Sequence, residues 1–77
     1  MNQLIILKTA ATLMSTSTTS IKRQIKNGTM TPPITIGSRN LLVESEVSAI
    51  INARIKGFTD EQIKQLVIEL IEKRGEL

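Results

Sequence analysis

The sequence predicts one small, mainly α domain that contains a short β-hairpin. Apolar residues recur at helical spacing in several segments of the chain, most regularly near its C-terminal end. Two short aliphatic runs follow a Pro-Pro pair and are separated by Gly and polar residues, a pattern typical of a hairpin. Seventy-seven residues provide for one hydrophobic core and leave no room for a second domain.

The first element is expected to be a brief strand, followed by a short helix. Residues Leu4 to Leu7 form an aliphatic run that fits such a strand. From Ile6 onward the apolar residues recur at i, i+4, i+7 and i+8, which places them on one face of a helix. This pattern predicts a helix over roughly residues 8–14.

The six hydroxyl residues from Ser15 to Ser20 have two interpretations. Their composition alone favours a flexible linker. Hydroxyl side chains also cap helix N-termini, and the residues that follow form helix well until Gly28. We therefore expect Ser17 to cap a second helix that ends near Asn27, with a turn of about three residues between the two helices.

The second helix is expected to have one apolar and one positively charged side. At about 100° per residue, Ile21 and Ile25 share one side. The opposite side, called here the cationic face, consists of Thr19, Lys22, Arg23 and Lys26. Surface helices ordinarily carry charge, but no acid balances this face. A helix of about ten residues is about 15 Å long, which suits the major groove of DNA.

A minimal hairpin is predicted after the second helix. Thr31-Pro32-Pro33 forces extended backbone. Ile34-Thr35-Ile36 is expected to be one strand and Leu41-Leu42-Val43 the other, with a turn over residues 37–40. A two-stranded hairpin is marginal alone, so it must pack on the helices. Its tip presents Ser38, Arg39 and Asn40, which suit phosphate or minor-groove contacts, although an ordinary polar turn is the alternative.

Two further helices are predicted in the C-terminal half. Acids at Glu44-Ser45-Glu46 favour a helix start, and the apolar residues of this helix are Val47, Ile50, Ile51 and Ile55, before Gly57. Thr59 and Gln62 fit a capping box for a last helix that runs to about Arg74.

The last helix carries a regular apolar stripe that we expect to be buried. The stripe consists of Ile63, Leu66, Val67, Leu70 and Ile71. Packing within the chain and a homodimer formed through this helix both remain open. We accordingly divide the chain into residues 1–57, the main domain, and residues 58–77, a helix that packs on this domain or on a second subunit.

Composition excludes most catalytic and metal chemistry. The chain has no Cys and no His, which removes disulfides, thiolate nucleophiles, common zinc sites and histidine acid–base catalysis. We expect no enzyme, no cofactor and no metal. Phe58 is the only aromatic residue, which argues against base-stacking platforms for single strands. No stretch reaches the roughly 20 apolar residues of a membrane span, and a cytoplasmic protein is expected.

The charge is distributed unevenly between the two parts of the chain. Residues 1–43 contain five bases and no acid, a net charge of +5. Residues 44–77 contain five bases and seven acids, a net charge of −2. Chance asymmetry in a short chain is one explanation. The other is a cationic N-terminal surface that faces a polyanion, which favours duplex DNA as the partner.

The order of elements from about Ile6 to Arg54 resembles the AlpA family of phage regulators. The resemblance is carried by Leu7-Lys8, Ser17, Ser20-Ile21, Arg23, Ile25-Lys26-Asn27-Gly28, Pro33, Gly37-Ser38-Arg39 and Glu44-Ser45-Glu46-Val47. The chain departs from the family in having Ser15 where Gly is usual in the turn, and Thr18 and Lys22 where a basic residue and Tyr are usual. It also lacks the family's Trp, whose core place Leu42 is expected to take.

The resemblance implies a winged helix-turn-helix, with a β-hairpin wing and a C-terminal amphipathic helix, related in fold to the MerR-type DNA-binding domain and to phage excisionases. It implies a sequence-specific regulator of a prophage or integrated element, nucleoid-associated, that acts on a promoter or assists excision. Contact with RNA polymerase or a recombinase follows from such a role.

The expected DNA contacts fall into two groups. Thr18, Thr19, Lys22 and Arg23 are expected in the groove. Phosphate or minor-groove contacts are expected from Lys8, Lys26, Ser38, Arg39 and Asn40. The alternative is a protein-interaction module, such as an antirepressor or antitoxin-like partner, that acts through the last helix.

Overall fold

The computed structural model describes residues 3–75; residues 1 and 2 of the predicted main domain and residues 76 and 77 of the predicted C-terminal segment lie outside the described residues. Four helices and one three-stranded antiparallel sheet make up this part of the chain, which confirms a mainly α fold with a small β component. In chain order the elements are β1 (Leu4–Ile6), α1 (Leu7–Leu13), α2 (Thr18–Asn27), β2 (Ile34–Ile36), β3 (Arg39–Val43), α3 (Glu44–Ile55) and α4 (Asp60–Arg74).

The hydroxyl run is ordered, because it ends one helix and begins the next. The Ser17 hydroxyl accepts a hydrogen bond from the backbone N–H of Ser20 at 3.1 Å, which confirms Ser17 as the cap of α2. At the other end Gly28 takes a left-handed conformation, with φ +84°, and closes the helix. The flexible-linker interpretation of residues 15–20 is therefore wrong.

The brief strand expected near Leu4–Leu7 is confirmed as β1, but the sequence did not predict that it joins the hairpin in one sheet. The strand order is β1-β3-β2, and β1 pairs antiparallel with β3, with Leu4 opposite Val43 and Ile5 opposite Leu42. The predicted hairpin of two strands is confirmed as β2–β3. A third strand stabilises a hairpin that would be marginal alone.

The hairpin turn is also shorter than predicted. Residues 37–40 were expected to form it, but Arg39 and Asn40 belong to β3, and Ile36 lies directly opposite Arg39. Only Gly37 and Ser38 form the loop, with φ +62° at Gly37. Two-residue hairpin loops require such a conformation because their twist must match that of the strands.

A single core joins the sheet to all four helices. Leu42 is fully buried, as expected for the residue in the core place of the family's Trp. The buried members of the core are Ile5, Ala10, Ala11, Ile21, Met30, Leu42, Val47, Ile50, Ala53, Ile63 and Val67. Because Ile63 and Val67 belong to this core, α4 packs on its own chain.

The apolar stripe of α4 is only partly buried. Ile63 and Val67 are buried, Leu66 and Leu70 are half-buried, and Ile71 is exposed, so the expectation was wrong for Ile71. At about 100° per residue, Ile71 lies about 80° from Ile63, at the edge of the side that faces the core.

Helix α3 packs on the core through most of the apolar residues that the sequence singled out, but not through the last one. Three of these four residues lie in or against the core, whereas Ile55 is 77% exposed. The contact side also includes the row of Glu46, Ile50 and Ala53, all of which are buried. The prediction for Ile55 is wrong because packing selected this row, and Ile55 points about 140–180° away from its members.

Candidate nucleic-acid interface

Helix α2 presents its cationic face to solvent because its opposite side is fixed in the core. Ile21 is fully buried, and Ile25 is half-buried against the same cluster. All of the α2 residues expected to contact DNA are exposed, namely Thr18, Thr19, Lys22, Arg23 and Lys26. The local signals responsible are the Ser17 cap, the Gly28 terminus and the spacing of the two isoleucines.

Within residues 3–75, the basic side chains of the N-terminal part form no ion pair. Among residues 3–75, ion pairs join Arg54 to Asp60 at 2.8 Å, Lys64 to Glu61 at 3.4 Å and Arg74 to Glu46 at 2.6 Å. Every one of these pairs lies in the C-terminal part. The described bases before Glu44, all exposed and outside these pairs, are Lys8, Lys22, Arg23, Lys26 and Arg39. This part of the surface therefore carries uncompensated positive charge.

The tip of the β2–β3 hairpin divides its polar side chains between two faces. Side chains alternate along a strand, so Arg39 and Asn40 point to opposite faces of the sheet. Asn40 lies opposite Thr35, whose hydroxyl donates a hydrogen bond to Asn40 Oδ1 at 3.0 Å. The Asn40 amide N–H groups therefore remain as its donors. The sequence grouped Ser38, Arg39 and Asn40 as one tip, whereas the structure exposes all three but separates the last two.

The other face of the tip carries a residue that the sequence analysis did not single out. Ile36 lies directly opposite Arg39 and is 54% exposed. The register therefore places an exposed aliphatic side chain beside an exposed arginine on this face of the sheet. The alternation of Ile34-Thr35-Ile36 predicts a strand, and the same alternation places Ile36 and Thr35 on opposite faces of it.

A partly buried ion pair at the end of α4 was not predicted from the sequence. Arg74, the last residue of α4, donates from Nε to Glu46 Oε2 at 2.8 Å and from Nη2 to Glu46 Oε1 at 2.6 Å. Its Nη2 also donates to the carbonyl oxygen of Pro32 at 2.9 Å. The hydrogen bonds to Glu46 raise the pKa of Arg74. The two partners lie 28 positions apart in the sequence, so no local pattern indicates the pair.

The protein has a groove among the ends of its helices, and the residues expected to contact DNA lie outside this groove. That groove has a volume of about 690 Å³ and is lined mainly by the ends of α1, α2 and α3 and by the start of α4. The Arg54–Asp60 pair lies in its wall. None of the nine residues expected to contact DNA lines it, so these residues do not form a small-molecule cavity.

The described part of the chain offers no metal centre and no membrane span. Within residues 3–75, no group of three or more acidic side chains is placed to hold a metal ion. In the same range no helix combines the length and apolarity needed to cross a membrane. The chain matches no protein-family model, no curated protein and no solved structure.

Proposed function

We propose that this chain binds double-stranded DNA as a winged helix-turn-helix protein. The observation that carries the proposal is the group of five exposed basic residues before Glu44, outside the ion pairs of residues 3–75. A polyanion supplies the missing negative charge, and release of its counterions drives binding. The remaining bases are partly engaged with acids of the same chain, which favours the N-terminal surface as the proposed binding surface.

The arrangement of elements supports the same proposal. Helices α1 and α2 are joined by a short turn, and α2 has ten residues, a length that fits a major groove. Thr18, Thr19, Lys22 and Arg23 are the proposed groove contacts. The β2–β3 hairpin serves as the wing. The proposed phosphate and minor-groove contacts are Lys8, Lys26, Ser38, Arg39 and Asn40.

The turn between α1 and α2 supports the resemblance to the AlpA family. Ser15 has φ +54°, and it is the one described residue other than Gly with a positive φ. Glycine favours this conformation because a side chain makes it strained. The family usually has Gly at this place. We therefore propose, as the biological role, a regulator of a prophage or integrated element that acts with RNA polymerase or a recombinase.

The proposal is tested by comparing two double substitutions that remove the same charge. Lys22→Ala/Arg23→Ala removes two bases from the cationic face. Lys56→Ala/Lys73→Ala removes two exposed bases of the C-terminal part that lie outside the ion pairs of residues 3–75. Duplex affinity is measured by fluorescence anisotropy, with folding checked by circular dichroism. Each lost groove contact costs about 1–3 kcal/mol, which is roughly 5- to 150-fold in affinity. We expect the first variant to lose about 30-fold or more and the second to bind almost as the wild type does.

The second candidate function is a protein-interaction module that acts through α4, including formation of a homodimer. Ile68 and Ile71 of α4 are exposed, and they favour this candidate. If folded Lys22→Ala/Arg23→Ala binds duplex as tightly as the wild type across salt, the assignment of α2 is wrong and the interaction module takes its place.

A further inference from the structure

We propose that Arg74 positions the wing for DNA by holding both ends of the β2–β3 hairpin in one place. This inference rests on the proposed DNA-binding function and extends it to a residue far from the cationic face. The Arg74 junction consists of Arg74, Glu46 and the Pro32 carbonyl group, joined by three hydrogen bonds of 2.6–2.9 Å.

The two partners of Arg74 lie on either side of the hairpin along the chain. Pro32 comes two residues before β2, and Glu46 comes three residues after β3. One guanidinium therefore ties the entry of the hairpin to its exit. Planar guanidinium has several donors in a fixed arrangement, so it bonds both carboxylate oxygens and the carbonyl group together.

The bonds between Arg74 and Glu46 are partly shielded from water, whereas the bond to the Pro32 carbonyl group is exposed. The Glu46 side chain is 6% exposed and the Arg74 side chain 21% exposed, so little water competes for the two bonds between them. The Arg54–Asp60 and Lys64–Glu61 pairs are more exposed, and each joins residues close in sequence. The Arg54–Asp60 pair also joins α3 to α4, but among these three pairs the Arg74 junction is the one that also reaches the segment before β2.

The tip of the hairpin extends beyond the part of the sheet that β1 supports. Strand β2 pairs with β3 alone, and Arg39 lies beyond the residues of β3 that pair with β1, so β2 is the one strand beside it. Met30 and Thr31 are buried and anchor the base of β2, and Arg74 adds a polar contact next to them. Gly37 lies five positions after Pro32, a span of about 16 Å at about 3.3 Å per residue. A tilt of about 15° at the base would move the tip by about 4 Å, which is more than a hydrogen bond tolerates. The position of Arg39 therefore depends on how the base of β2 is held.

A double-substitution cycle on duplex binding tests the inference. The effect of Arg39→Ala on duplex affinity is measured in four backgrounds, which are the wild type, Arg74→Gln, Arg74→Lys and Val67→Ala. Val67 is buried on α4 and contributes to the core, so Val67→Ala loosens α4 without touching the junction. In the wild type and in Val67→Ala, we expect Arg39→Ala to cost roughly tenfold near 50 mM salt. In both Arg74 variants it should cost less than about twofold, because a displaced Arg39 already contributes little.

Hydrogen exchange of the free proteins separates this inference from the proposed function. The amides of β2 and β3 should exchange faster in Arg74→Lys than in Val67→Ala, while those of α2 remain equal in the two variants. Arg74→Lys serves where Arg74→Gln does not fold. Equal exchange of the hairpin amides in the two variants overturns the inference. A loss of duplex affinity from Arg39→Ala that is the same in the wild type and in the Arg74 variants also overturns it. So does the absence of any loss from Arg39→Ala in the wild type. A wild type that binds no duplex refutes the proposed function, whereas the exchange comparison still decides whether Arg74 holds the hairpin.

Discussion

The N-terminal and C-terminal parts of this chain use their charges differently. Before Glu44 the five described bases are exposed and have no acid in their own segment. Within residues 3–75, three of the five bases after Val43 form ion pairs, and the Arg74–Glu46 pair is partly buried. The bases of the C-terminal part are thus mostly engaged with acids of the same chain, whereas those of the N-terminal part remain available to a partner.

The two parts also differ in how they begin their helices. Helix α4 has a complete capping box, in which Thr59 Oγ1 accepts from the Gln62 N–H and Gln62 Oε1 accepts from the Thr59 N–H. Helix α2 has the Ser17 cap alone and no acid in its first turn, although acids there would stabilise it. The absence of acids from the start of α2 is consistent with a helix end that lies near phosphates.

The two parts are expected to differ most in the free energy of unfolding that is lost when one charged side chain is removed. Glu46→Ala leaves Arg74 without its partner, and loss of one member of a buried pair costs about 3–5 kcal/mol. Because Arg74 is 21% exposed and retains some water, we expect the lower end, about 3 kcal/mol. Arg23→Ala should change the free energy of unfolding by less than about 0.5 kcal/mol. Urea denaturation measures both. Equal losses would contradict the division of roles.

A smaller effect is expected at the two caps. Ser17→Ala and Thr59→Ala should each lower the free energy of unfolding by about 0.5–2 kcal/mol, because each leaves a backbone N–H without its acceptor. Ser17→Asp and Thr59→Asp should both keep the stability, since Asp caps helices and favours the positive helix end. The two Asp variants should differ in duplex affinity, which falls only for Ser17→Asp. An equal affinity of both variants would place the start of α2 away from DNA.

The local parts of this fold could be predicted from the sequence. The caps at Ser17 and Thr59 and the terminus at Gly28 depend on hydrogen bonds between residues within a few positions of one another, so the sequence pattern contains them. The same holds for the exposure of the cationic face, which follows from the spacing of Ile21 and Ile25.

The missed features depend on contacts between distant residues. Strand β1 finds its partner about 40 positions along the chain, with Leu4 opposite Val43, and Arg74 finds Glu46 across 28 positions. No periodicity encodes such pairings. Ile55 illustrates a related limit, because apolar spacing shows which side of a helix is able to pack, whereas the neighbours decide which side does.

The most direct test of the account is the salt dependence of duplex binding. If Lys8, Lys22, Arg23, Lys26 and Arg39 all approach phosphates, the slope of log affinity against log salt should be about −4 to −5 per protomer. Lys26→Ala should reduce the slope by about one unit, and Lys73→Ala, a matched exposed lysine of α4, should leave it unchanged. A slope near zero, or equal effects of the two lysines, would contradict a DNA-binding surface confined to the N-terminal part.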